Sequence, residues 1–243
     1  ATEIKPNAST MLLMHFDNRS DWGENNTFFV DNSTYKNHGN CTGNCPAVNV
    51  TNYKFGGAAL TFDGTNDYVN ISDSATADAV STSNATTVEA WVYVAGSPTS
   101  TGQVVYKRNA YFLQVGTDDT IRFLVYEEPA AGGIFDAQST TTITRNEWHH
   151  IAGTYDGVSE KLGKVYIDGA LAATDTLDAG DTVYASNTNS LMIGVDNTMD
   201  TFCNCTLDEV AIWNISLSSQ IIAQHSGYGI DRSIYGNNAS LMN

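Results

Sequence analysis

The chain is built from short runs of β-branched and aromatic residues, each ended by Gly, Asn, Asp or Ser. Such runs cover Ala59–Asp63, Tyr68–Ser72, Thr87–Ala95, Gln103–Lys107, Tyr111–Gly116, Thr120–Tyr126, Glu147–Tyr155, Lys164–Asp168 and Leu207–Trp213. Side chains of this kind suit a pleated, half-buried surface, so the runs read as strands. Asp168-Gly169, between Val165-Tyr166-Ile167 and Ala170-Leu171-Ala172, marks a tight hairpin. Only Ser218–Ser226 has a helical pattern, with Ser218 placed to cap it and Leu217, Ile221 and Ile222 able to turn inward. About a dozen strands and one terminal helix specify an all-β fold, a two-sheet antiparallel sandwich. A length of 243 residues suits one such domain, and no repeat or linker divides it. Strand parity orients the residues. Val88, Ala90, Val92 and Val94 face one way and Glu89, Trp91 and Tyr93 the other, while Val69 and Ile71 point inward and Asn70 outward.

Composition narrows the partners. Eleven Lys and Arg stand against 27 Asp and Glu, a net charge of −16, and no basic cluster occurs. Nucleic acid and anionic membrane surfaces are poor partners for such a chain. The longest apolar candidates, Met11–Phe16 and Val88–Ala95, are strand-sized, far short of the ~20 residues of a membrane span.

The compartment is read from asparagine and cysteine. Asn-x-Ser/Thr occurs at Asn7, Asn18, Asn25, Asn32, Asn40, Asn49, Asn70, Asn84, Asn204, Asn214 and Asn238. With 23 Asn and 47 Ser or Thr in 243 residues, chance supplies only about four sequons. The excess predicts an exported, N-glycosylated chain, secreted or held at the cell surface. A start at Ala1 is compatible with signal-peptide cleavage. Cys41/Cys45 and Cys203/Cys205 form two close pairs, suited to disulfides in an oxidising compartment. Residues i and i+2 of an extended strand lie near the ~6.8 Å limit for a bridge, so cross-pairing of the first pair with the second is expected. A zinc site is the alternative, weakened by the non-standard CxxxC/CxC spacing.

Five blocks in order carry a resemblance. They are Lys54-Phe55-Gly56-Gly57-Ala58-Ala59-Leu60-Thr61-Phe62-Asp63-Gly64 running into Asn66-Asp67-Tyr68-Val69; Thr87-Val88-Glu89-Ala90-Trp91-Val92; Trp148-His149-His150-Ile151-Ala152-Gly153-Thr154-Tyr155-Asp156; Val165-Tyr166-Ile167-Asp168-Gly169; and Leu207-Asp208-Glu209-Val210-Ala211-Ile212-Trp213-Asn214. Together they resemble the laminin-G-like jelly-roll domain of the concanavalin A-like lectin/glucanase superfamily. The resemblance spans roughly residues 11–228, leaving tails at 1–10 and 229–243 and a Cys-bearing insert around 40–50. It implies two antiparallel sheets with the first and last strands adjacent, which would bring Asp17 near Asp208 and the two Cys pairs within reach of each other.

Candidate chemistry follows from the same residues. Glycoside hydrolysis needs two suitably spaced carboxylates, and the Glu-x-Asp-x-x-Glu pattern of hydrolases sharing this fold is absent. Glu127 and Glu128 are adjacent, Glu89 stands alone on its strand face, and His149, Asp156 and Ser159 supply triad residue types only. No catalytic role is expected. Calcium, which favours clustered loop oxygens, is better served. The resemblance implies a structural site at Asp208 with Asp17 and Asp63 beside it. It also implies a rim site at Asp196, Asn197 and Asp200, with Asn109 in the facing hairpin. Trp91, Tyr93, Tyr126 and Tyr166 with Arg122 are candidates for carbohydrate binding on outer sheet faces.

The resulting expectation is a non-catalytic recognition or adhesion module for glycans or extracellular proteins. The alternative is a structural subunit joining copies of itself into a filament or surface layer through its polar tails; a glycoside hydrolase is third.

Overall fold

The computed structural model describes residues 3–74, 84–96, 102–126, 133–176 and 187–227. Within them the chain forms β1 (Thr10–Met14), β2 (Phe28–Phe29), β3 (Gly39–Asn40), β4 (Ala47–Asn49), β5 (Ala59–Asp63), β6 (Val69–Ile71), β7 (Ala85–Tyr93) and β8 (Gly102–Lys107). There follow β9 (Tyr111–Val115), β10 (Thr120–Tyr126), β11 (Gly133–Thr142), β12 (Trp148–Asp156), β13 (Leu162–Ile167), β14 (Ala170–Thr176), β15 (Leu191–Ile193), β16 (Asn204–Trp213) and the helix α1 (Ser219–Ser226). The first sheet runs β14-β13-β12-β7-β16-β5-β4 and the second β11-β10-β9-β8-β15-β6-β3-β2, every pair antiparallel. This is the jelly-roll sandwich expected. The additional strands β2, β3 and β4 are too short for their alternation to show in sequence.

β16 changes partner along its length. Asn204–Leu207 pair with β5, whereas Val210–Trp213 pair with β1. Between them its register with β7 slips at Asp208 and Ala211, and Glu209 takes φ +53°. A bulge re-aims side chains, and this one turns two adjacent acids into the protein.

Val88, Ala90, Val92 and Val94 face the core, as parity predicts. The sheets approach closely where glycines of the first receive rings of the second. A Cβ on Gly153 would lie 2.1 Å from Phe123, and one on Gly163 2.2 Å from Phe135. A second, smaller core lies on the outer face of the first sheet, where Ile4, Leu217 and Ile222 cover Leu13, Tyr166 and Trp213. The Ser218 hydroxyl caps α1 by accepting from the Ile221 N–H, and Gly227 closes the helix at φ 76°. The N-terminal segment thus packs on its own domain at Ile4; residues 229–243 lie outside the described residues.

The cross-paired disulfides are overturned. Cys41 bonds Cys45 and Cys203 bonds Cys205, with Cα separations of 5.4 and 5.5 Å. Cys203 precedes β16 rather than lying in it, so the chain there is not extended and the closest pairing becomes possible.

Candidate functional site

Two of the proposed sugar-binding aromatics are covered. Trp91 is 3% exposed, under Lys54 Nζ 3.7 Å from its ring centroid, with Phe55 and His150 against its edges. Tyr166 is 1% exposed in the second core. Tyr93 is half-buried, tilted against Trp148 at 5.7 Å, and the Trp148 indole N–H donates to Asn52 Oδ1. Beneath the cover lie charges. Glu89 is fully buried, with His225 Nδ1 at 2.6 Å and His150 Nε2 at 3.1 Å, the latter an ion contact without hydrogen-bond alignment. Burial pushes the Glu89 carboxyl up, yet the two histidines outweigh it and hold it below its usual range. Burial likewise opposes the charge on His225, and the Glu89 hydrogen bond overcomes it, raising its pKa. Glu89 therefore does not stand alone, and it faces no solvent.

The calcium candidates separate. Asp208 is buried; its Oδ2 accepts from the Lys54 and Phe55 N–H groups, while Oδ1 has no partner. Asp17 Oδ1 is also buried and unpaired, against Gly56, where a Cβ would fall 1.6 Å from it. Burial raises Asp208 to about 8 and Asp17 to about 6. Two orphaned carboxylate oxygens beside one loop suit a hard cation that takes oxygen ligands. Asp63 is not with them. It pairs with Asn204 at the far end of β5, and its Oδ1 accepts from Thr65 and Asn66. At the rim, Asn197 does meet the hairpin containing Asn109, accepting from the Arg108 N–H and donating to Ser190 O. Asp196 and Asp200 are engaged with Thr198 and Thr201. Among the described residues no group of three or more His, Cys, Asp or Glu is placed to hold a metal.

One constellation has the outline of a relay. His149 Nδ1 lies 2.7 Å from Asp168 Oδ2, and Nε2 lies 2.9 Å from Thr144 Oγ1 and 3.0 Å from the Thr144 carbonyl. A carboxylate and a carbonyl can only accept, so both ring nitrogens donate, and the Asp168 hydrogen bond raises the His149 pKa. A protonated imidazole cannot take the Thr144 proton. That hydroxyl donates to Glu147 Oε2 instead.

The second sheet's outer face holds the remaining candidates, Arg122 and Tyr126, among residues not singled out in sequence. Strand register sets one continuous row across it: Asn40, Asn70, Met192, Tyr106, Phe112, Leu124, Asp136. A parallel row reads Gln103, Gln114, Arg122, Gln138. Tyr106 and Phe112 stack at 6.0 Å, Tyr126 meets Phe112 edge-on at 6.2 Å, and the Arg122 guanidinium lies 5.4 Å over Phe112. Arg122 also forks onto both oxygens of Asp136. Tyr106, Arg122 and Tyr126 are half-buried, whereas Phe112 is buried. Burial and a hydrogen bond with Tyr126 raise the Tyr106 pKa, so its hydroxyl stays protonated. Gln103 and Gln114 are buried, so the polar and aromatic groups at the surface here are Tyr106, Arg122, Tyr126 and Gln138. A half-exposed ring beside a guanidinium and an amide offers both an apolar and a polar contact.

The sequon asparagines are mostly at the surface. Asn7, Asn18, Asn25, Asn40 and Asn204 are exposed, and Asn70 and Asn214 are half-buried. Asn32 Nδ2 is buried, and the amide nitrogens of Asn49 and Asn84 donate to Thr61 and to the Gly157 carbonyl. Asn238 lies outside the described residues.

The two-sheet jelly-roll sandwich defines a lectin-like class of fold. The family profile described as the concanavalin A-like lectin/glucanases superfamily matches residues 63–223, and the chain belongs to that family. No curated protein matches it. Among solved structures it is similar to the receptor-binding domain of botulinum neurotoxin C/D mosaic serotype (16% identity, TM-score 0.66, 90% of this chain and 51% of that one). It is also similar to the binding domain of botulinum neurotoxin DC in complex with SialylT (14%, TM-score 0.63, 95% and 55%) and to the Trypanosoma rangeli sialidase in complex with sialic acid (18%, TM-score 0.60, 89% and 32%). The chain spans about half of the toxin domains and a third of the sialidase; at these identities the likeness is one of fold. Among the described residues no helix is long and apolar enough to cross a membrane.

Proposed function

We propose that this is a secreted or cell-surface, N-glycosylated recognition module that binds carbohydrate without cleaving it, through the outer face of the second sheet. The observation that carries this reading is the grouping of half-buried Tyr106, Tyr126 and Arg122 around the buried Phe112 ring, with exposed Gln138 beside them. The sialic acid and SialylT complexes of two structural neighbours support the ligand class. A calcium ion at Asp17 and Asp208 would act structurally, tying the Lys54–Gly56 loop to β16. Titration of the chain against a panel of neutral and sialylated oligosaccharides tests the reading. Tyr106→Ala and Arg122→Ala should each weaken binding about tenfold, leaving the fold intact by circular dichroism. Unchanged affinity in both variants, or release of free sugar, would sink it.

A further inference from the structure

Asn70 stands in the same cross-strand row as the proposed sugar-binding rings. It pairs with Met192, which pairs with Tyr106. Neighbouring strands are ~4.8 Å apart, so Tyr106 is two spacings, about 10 Å, from Asn70 along a straight line. Val69 and Ile71 are fully in the core, which turns Asn70 outward, and among the described residues its amide makes no hydrogen bond. Tyr68 lies two residues before it and Ser72 two after, on the same side of the chain as Asn70. Tyr68 offers a ring to the first sugar, as aromatic faces do to C–H surfaces. Asn32 is the contrast: its Nδ2 is buried, and a sugar there is incompatible with this fold.

We infer that Asn70 carries an N-linked glycan whose first sugars extend past the buried Met192 towards half-buried Tyr106, so that the protein's own glycan occludes its recognition face. In the modification a lipid-pyrophosphate-linked oligosaccharide is the donor. The Asn70 Nδ2–C1 bond forms, the sugar–phosphate C–O bond breaks, Nδ2 loses one proton and lipid pyrophosphate leaves. The occlusion rests on the carbohydrate-binding reading only for its consequence, not for its geometry.

The test uses the full 243-residue chain secreted from a eukaryotic cell line, compared with Asn70→Gln and Ser72→Ala, which remove the same acceptor by different routes. Glycopeptide mapping should find Asn70 occupied and Asn32 bare. Hydroxyl-radical labelling of Tyr106 should rise severalfold in both variants, while exposed Tyr53, in the loop between β4 and β5 of the other sheet, stays unchanged. Affinity for the oligosaccharide panel should rise about tenfold. A bare Asn70, or Tyr106 labelling that ignores the glycan, overturns the inference. Labelling that rises while neither form binds any sugar leaves the occlusion standing and overturns the proposed function.

Discussion

The two outer faces of the sandwich start from the same strand alternation and end differently. On the first sheet the chain's own segments return: Ile4, the Lys54–Phe55 loop and α1 close over it, taking Glu89, Asp208 and Glu209 out of water. Each acid has been found partners. Glu89 has two histidines, and Glu209 has His15 at 2.6 Å and the Ile4 N–H at 2.7 Å. Asp208 has two N–H groups and one oxygen left over. On the outer face of the second sheet Arg122 and Asp136 form an ionic pair with side chains 37% and 41% exposed. The covered face turns its polar groups to stability, whereas the second keeps Arg122 and Asp136 paired at the surface.

The largest effect should therefore appear under the cover. Glu89→Ala takes the carboxylate from half-buried His225 and fully buried His150, and removing one partner of a buried pair costs about 3–5 kcal/mol. Urea unfolding of the variant measures it. A loss no greater than that of an exposed pair would erase the distinction between the faces.

Asp208 gives the next effect, with a sign opposite to that of an ordinary salt-bridged aspartate. Its folded pKa, about 8, lies above the unfolded 3.8, so the native state holds the proton more tightly. Stability from this group is complete below pH 4 and is lost as pH rises through 8, by several kcal/mol in metal-free protein. Asp208→Asn should flatten that slope. Calcium added at pH 7.5 should restore the melting temperature of the parent but not of the variant; a parent indifferent to calcium would remove the cation from the proposal.

The disulfides come third. Bridges closing loops this short contribute about 2 kcal/mol each by chain entropy, whereas a first bridge joining the two pairs would have given about 5. Reduction should lower stability by the smaller figure, in thermal melts with and without reductant.

Much of this was open to sequence reading because it is local. The inward set Val88, Ala90, Val92 and Val94, the outward Asn70, and the Ser218 cap each depend on neighbours within a few residues. What failed is nonlocal. Alternation places Trp91 and Tyr166 outside the main core but cannot say that Lys54, Phe55 and α1 will cover them. Tyr106 and Phe112 come together through register, and a slip between Gln103 and Val105 hides the parity of β8. Asp63 and Asp208 lie on adjacent strands, yet the pairing of Asp63 with Asn204 sets them at different heights.

The smallest stability effect belongs to the open face and sharpens the comparison most. Removing the exposed Arg122–Asp136 pair should cost no more than about 1 kcal/mol, since water screens both partners. Its consequence for binding is larger. Asp136 takes both oxygens to the Arg122 guanidinium, so the cation is neutralised where an acidic sugar would meet it. Asp136→Asn keeps the shape and releases the charge. Affinity for sialylated oligosaccharides should rise severalfold, with neutral ones unchanged and the sialylated gain fading in salt as a Coulombic term must. Equal gains for neutral and acidic sugars would mean that Asp136 blocks the face by bulk, and Arg122 would lose its part in recognition.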